Sequence, residues 1–321
     1  MDVGVGYPRL ECLATSRAFQ SGDDLRQMLA MLMTARAGTN DWRYWHVGDL
    51  AFWYFMVDCH LNPREFIRLW HAPGGKLVGY ALLGEDPSLD WQVLPEFEGQ
   101  GIESDAIAWA KERLAELRSG DGRTWGGDLI TGARQDASDR IAFMEANGFQ
   151  RRRYVEVNML RSLGEPIPAT ETPVGFQVRA LRGPEETAER ADAHREVWQP
   201  WSVGNVSADD YGRLIGLPVY ERELDLVAAE PNGRIAAYVN GWIDPLNRIG
   251  DFGPVGARPD YRRRGLTRAV LIECLRRMRD RGMDRVSVST GETNLAAIRL
   301  YESIGFRVVN RYLEFGMARR A

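Results

Sequence analysis

The segment Arg262-Arg263-Arg264-Gly265-Leu266-Thr267 joins the end of a strand pattern to the start of a helical one. The first amide N–H groups of a helix lack intrahelical partners and lie at the positive end of its dipole. A glycine lets a ligand approach that backbone closely, and arginines beside it add charge. The combination suits a diphosphate, although a plain strand–helix turn with solvated arginines has the same composition. Further on, Asn294 opens a second helical run that carries Tyr301. A tyrosine, with a reference pKa of about 10, can protonate or hydrogen-bond a departing thiolate, reference about 8.5, without ionising first. Asp251, on the strand before the hexapeptide, can take a proton directly or through water. Simple alternation puts it on the same face as Gly253, Val255 and Ala257. A solvated strand-edge role for Asp251 stays open, and Asp244 and Glu230 are rival bases.

With Pro259 and its preceding strand, these blocks resemble the GNAT superfamily of N-acetyltransferases. RRRGLT matches that family's [Q/R]-x-x-G-x-[G/A] pattern except that Thr267 stands where Gly or Ala is usual. NLAAIRLYESIGF, from Asn294 to Phe306, is similar to its later motif, so the resemblance covers most of 176–316. It implies acetyl-CoA in a splay between the strands Arg248–Ala257 and Arg285–Ser289. Backbone near Val255, Gly256 and Ala257 would meet the pantetheine arm. The turn from Arg262, with the amides of Arg263, Arg264, Gly265, Leu266 and Thr267, would hold the diphosphate. Asn294 would orient the pantetheine or the strand–helix corner, and Tyr301 would sit near the thioester sulfur. The implied activity is acetyl transfer to the amine of a small molecule. A non-catalytic acyl-CoA sensor or partner-binding module is the alternative.

The elements that must position these residues occur twice. With Pro259 aligned on Pro95, an offset of 164, Gly265 meets Gly101, and Leu266, Val270, Cys274 and Met278 fall on Ile102, Ala106, Ala110 and Leu114. Steps of four trace one face of a helix. Thr290-Gly291 meets Thr131-Gly132 at offset 159, and Gly305-Phe306 meets Gly148-Phe149 at 157. Two blocks in the same order argue for internal duplication. The expected organisation is a first copy at 1–160, a Pro- and Gly-rich linker at 161–175 and a second copy at 176–321. The fold class is α/β (α+β), with two tandem units. Each is a mixed, mostly antiparallel sheet flanked by helices, and an early strand is expected at Arg9–Ala14 and Phe176–Leu181.

At its turn the first copy reads EGQGIE, with Glu98 and Glu103 where the pattern wants Gln or Arg and Gly or Ala. Carboxylates repel a diphosphate, and an acid in the first turn also suits the helix dipole. Met144 stands opposite Tyr301. The first copy is therefore expected to be structural or acceptor-shaping. The ten tryptophans suit a flat or sugar acceptor, or core packing.

The 321 residues carry 41 basic and 45 acidic side chains, for a net charge of −4. That balance argues against nucleic acid as a partner. No apolar run reaches the roughly 20 residues of a membrane span, so a cytoplasmic protein without a membrane partner is expected. Three scattered cysteines and four histidines make no disulfide framework and no metal-ligand spacing, so no metal is expected. Monomer and homodimer both remain open.

Overall fold

The computed structural model describes residues 14–39, 43–58, 60–120 and 125–318. By packing, the chain divides into two units, 1–35 with 61–131 and 316–321, and 36–60 with 132–315. The strand expected at Arg9–Ala14 lies, all but Ala14, outside the described residues.

The first unit holds β1 (Thr15–Ala18), α1 (Gly22–Thr39, up to Ala35), α3 (Pro63–Phe66), β2 (Ile67–His71), β3 (Leu77–Leu83), β4 (Leu89–Val93) and α4 (Ile102–Gly120). The helix α2 (Val47–Phe52) falls to the second unit. β1 to β4 form an antiparallel sheet in sequence order. α4 packs on it where Gly79 lacks a side chain; a Cβ there would stand 3.1 Å from Ile102 Cγ2.

In chain order the second unit adds α2, then the second half of β5 (Leu129–Arg134), α5 (Ser138–Ala146), β6 (Gln150–Ser162) and β7 (Gln177–Ala180). Next come α6 (Thr187–Trp198), α7 (Ala208–Ile215), β8 (Asp225–Ala229), β9 (Ile235–Asp244) and β10 (Ile249–Ala257). α8 (Leu266–Asp280), β11 (Arg285–Gly291), α9 (Leu295–Glu302) and β12 (Arg307–Met317) complete it. The eight strands run in the order β5-β12-β6-β11-β10-β9-β8-β7. β10 and β11 are parallel, whereas β7 to β10 and the β6–β11 pair are antiparallel. Sheets with helices are thus present in both units, as the sequence pattern predicts; the eight-stranded one is mixed, whereas the four-stranded one is wholly antiparallel.

One feature of the topology escaped the pattern. β6, the last strand of the first sequence copy, pairs with β11 of the second, from Glu156↔Gly291 to Ser162↔Arg285. β12, the last strand of the second copy, lies between β6 and β5. The two copies have exchanged their final strands. The start of the expected linker is packed as well. Arg161 is 2% exposed and donates to the carbonyls of Ile304, Ser162 and Pro166 at 2.5, 2.7 and 2.8 Å.

Each face of this sheet has its own core. α8 and α9 cover Val239, Phe252, Val286 and Val288, while α6, α7 and α2 cover Val227, Tyr238 and Trp242. α8 approaches the sheet closely because β9 and β10 present glycines to it. A Cβ on Gly241 would lie 2.6 Å from Cys274 Sγ, 2.8 Å from Met278 Cε and 3.2 Å from Leu224 O. Gly241→Ala is therefore expected to cost about 1–3 kcal/mol by overpacking, read as a lower denaturant midpoint with an unchanged slope.

Candidate active site

β10 is held by two neighbours, and their registers separate at Phe252. It runs parallel to β11 from Ile249↔Arg285 to Phe252↔Val288. Beyond that point β10 continues to Ala257 and β11 to Gly291, but the parallel register does not. On its other side β10 stays paired with β9 as far as Ala257↔Ala237. Between Phe252↔Gly241 and Val255↔Val239, three steps along β10 match two along β9, which is a β-bulge. The Trp242 indole Nε1 donates to Gly253 O at this bulge, at 2.5 Å. The result is the splay expected between these strands, with Val255, Gly256 and Ala257 on its β10 side.

The bulge also corrects the facing of Asp251. Direct partners across an antiparallel ladder share a face. Asp251 lies opposite Trp242, whereas Val255 and Ala257 lie opposite Val239 and Ala237, on the alternate face of β9. Asp251 thus keeps company with Gly253 and Gly256, not with Val255 and Ala257, because one extra residue reverses the alternation. Gly256 is held to its residue type by the same geometry. A Cβ there would overlap Val197 Cγ1 and stand 3.1 Å from the Tyr238 hydroxyl.

At the end of β10 a turn leads into α8. Arg263 and Gly265 both adopt left-handed backbone, with φ of 60° and 79°, and no side chain caps α8 at Gly265. A Cβ on Gly265 would find nothing closer than Pro173 Cγ at 4.0 Å. Arg262 Nε reaches back to Ala257 O at 3.3 Å, and the Arg264 guanidinium lies over Phe176 and Tyr261, 4.9 and 5.5 Å from the ring centroids. Arg264 is thereby held against an aromatic pair rather than left free. The first copy is built differently at the same place. Glu103 Oε1 accepts from the Gly99 N–H at 2.9 Å, so a carboxylate is turned back on the loop just before α4.

Asn294 caps α9. Its Oδ1 accepts from the Ala297 N–H at 3.3 Å, and its Nδ2 donates to Thr290 Oγ1 at 3.2 Å, fixing the corner between β11 and α9. Tyr301 is 5% exposed, packed at 5.9 Å from the Phe306 ring. Burial, then the Asp251 charge, raise its hydroxyl above the usual tyrosine range, so it stays protonated. Met144, its counterpart in the first copy, is fully buried.

Asp251 is 7% exposed and accepts from Ser287 Oγ at 2.5 Å. Burial pushes its carboxyl up to about 8. The Asp49 carboxylate acts in the same direction, and the Ser287 hydrogen bond and Arg36 act against it. A carboxylate poised near neutrality is suited to proton abstraction. The rival acids are engaged in turns. Asp244 holds the Asn247 N–H and amide at 3.1 and 2.5 Å, and Glu230 closes the 230–234 turn. Ser287, Asp49 and Arg36 were not found by sequence reasoning. The alternation in Val-Ser-Val-Ser-Thr could have marked Ser287 as facing away from Val286 and Val288, but nothing in the sequence joins Asp49 to Asp251.

Trp70, Trp91 and Trp242 are buried, which is packing, whereas Trp53 and Trp201 are 43% and 63% exposed. Among the described residues no group of three His, Cys, Asp or Glu side chains could hold a metal ion, and no helix is long and apolar enough to cross a membrane.

The Acetyltransferase (GNAT) family matches residues 179–306. The mycothiol acetyltransferase of Thermobispora bispora is 31% identical over 76% of this chain and 81% of its own. That of Acidothermus cellulolyticus is 29% identical over 72% and 73%. The fold is similar to a GCN5-related N-acetyltransferase from Sphaerobacter thermophilus (TM-score 0.64, 21% identity, 97% of this chain and 98% of that one). It is also similar to a tandem GNAT protein from the clavulanic acid biosynthesis pathway (TM-score 0.62, 15% identity, 96% and 100%). The chain belongs to the GNAT acetyltransferases. It is an acetyl-CoA-dependent N-acetyltransferase.

The difference between the two helix starts can be tested by copying one into the other. Thr267→Glu gives α8 the acid that α4 has at Glu103. Calorimetry with acetyl-CoA is expected to show at least about tenfold weaker binding, with the melting temperature unchanged or slightly raised, since an acid in the first turn suits the dipole.

Proposed function

We propose that the second sequence copy transfers the acetyl group directly to the amine of a small molecule. The observation that carries this reading is the open N-terminus of α8 at the end of the strand splay. Its backbone donors and the flanking arginines suit the diphosphate of coenzyme A. In this reading Arg263, Arg264, Gly265, Leu266 and Thr267 hold the diphosphate through backbone N–H groups, with Arg262 closing the turn. The β10 edge from Val255 to Ala257 lines the pantetheine, and Asn294 keeps the opposite corner rigid. Bound acetyl-CoA supplies the activated acetyl thioester.

The chain's own residues then divide the proton work. The Asp251 carboxylate takes the proton of the incoming ammonium, directly or through a water, leaving a neutral amine as nucleophile. Tyr301, kept protonated, offers its hydroxyl to the departing sulfur. The first copy, with Glu103 turned back on the Gly99 N–H and Met144 in place of the tyrosine, is read as holding no cofactor of its own. The relatives named as mycothiol acetyltransferases make mycothiol lacking its acetyl group the first acceptor to try.

Acetyl gain on that amine, read by mass spectrometry, tests the assignment; no gain with it or with any amine of a panel would reject it. Tyr301→Phe is expected to lower kcat tenfold or more while acetyl-CoA affinity stays within about twofold. The profile of kcat/KM against pH should rise through about 8 as Asp251 loses its proton. In Asp251→Asn that limb should vanish along with most of the rate.

A further inference from the structure

The Arg36–His60 segment belongs to the first copy by sequence but to the second unit by packing. Its helix α2 lies on β9 and β10, with Val47, Gly48, Leu50, Ala51 and Phe52 buried. Two contacts place it behind the catalytic strand. The His46 ring Nε2 stands 3.3 Å from Ile249 O, two residues before Asp251. Gly48 lies flat against Trp242, so closely that a Cβ would overlap Cβ, Cγ and Cδ1 of that side chain. Trp242 is the residue whose indole holds Gly253 O at the bulge. The chain from Gly48 through Trp242 to the bulge is therefore continuous, and its first link tolerates no extra atom.

The charges in this layer are few and buried. Asp49 Oδ2 accepts from the His46 N–H at 2.8 Å, closing a capping box on α2. Arg36 is 5% exposed and donates to Tyr44 O at 2.7 Å. His46 is pushed down to about 3 by burial and then by Arg36, so it is neutral. Around Asp251 stand Asp49 and His46 on α2, Arg36 on α1, Ser287 and Arg285 on β11, Tyr301 on α9 and Asp244 on β9. Of these, Asp49 is the carboxylate that acts on Asp251, and burial raises Asp49 as well.

We infer that the first copy contributes positioning residues to the second copy's catalytic centre, Gly48 by seating Trp242 over the bulge and Asp49 by placing a carboxylate behind Asp251. The first copy is thus silent toward the cofactor but not toward the reaction. This inference rests on Asp251 being the base. Neither residue touches the reacting atoms; both act through β10.

The test reads Asp251 directly in the full chain. Carbon-13 NMR of aspartate-labelled protein, with the Asp251 resonance identified by its loss in Asp251→Asn, gives the titration midpoint. Asp49→Asn, isosteric and neutral, is expected to lower that midpoint by about one pH unit or more. The acid limb of the kcat/KM profile should move to lower pH by the same amount. A midpoint that stays in place in folded Asp49→Asn protein overturns the role of Asp49. Trp242→Phe keeps the ring but removes the donor to Gly253 O. It is expected to lower kcat at least about tenfold while its circular dichroism spectrum stays that of the parent. Unchanged kcat in Trp242→Phe overturns the seating role, and Gly48→Ala should reproduce the loss if Gly48 acts through that indole. If Asp251→Asn itself keeps full activity, the base assignment fails instead, whatever Asp49→Asn does.

Discussion

One extra residue in β10 is the constraint on which the second copy depends. A strand held between an antiparallel neighbour and a parallel one cannot keep both registers once it carries a bulge. Here β9 keeps its hold and β11 lets go after Phe252. Along the half-buried stretch Val255 to Ala257 this leaves the β11 side of β10 without a strand partner, although Arg262 Nε reaches Ala257 O. In the proposed reading that edge is the one offered to an extended, amide-bearing ligand arm. With Asp251 on the Trp242 side of the sheet, the same bulge puts Val255 on the opposite, Val239 side, which α8 covers.

The two copies show how little separates the proposed anion site from a structural turn. Both place a left-handed glycine before a long helix, Gly101 at φ 99° and Gly265 at φ 79°. In the first, Glu103 folds back on the Gly99 N–H and answers the helix dipole from within the chain. In the second, Thr267 cannot reach as a carboxylate could, and the arginines leave the positive end unanswered. Local stability and ligand capacity compete for the same few amides.

The sequence made the second copy largely legible because its motifs are local. The glycine turn and the helix stripe of Leu266, Val270, Cys274 and Met278 are set by residues within a few positions of one another, and both stand in the structure, where Asn294, expected to orient the pantetheine or the strand–helix corner, caps α9. The facing of Asp251 was misread because periodicity assumes an unbroken ladder, and a bulge leaves no reliable mark in composition. Asp49, Arg36 and Gly48 were beyond reach for a different reason. Their significance arises only from packing α2 against β10, some two hundred positions away in sequence (|i−j| is 203 for His46 and Ile249). The strand exchange was likewise silent, since β6 and β12 carry the same alternating pattern whichever neighbour they join.

That exchange bears on how the chain must be made. β6 leaves the ribosome well before β11, the strand that will flank it, and α6 to α8 have to be synthesised in between. Until then Val157 and Met159 have no cover, and the edge of β6 is open to any other extended chain. The pairing of β6 therefore has to wait for the second half of the chain, and it closes a long loop when it forms.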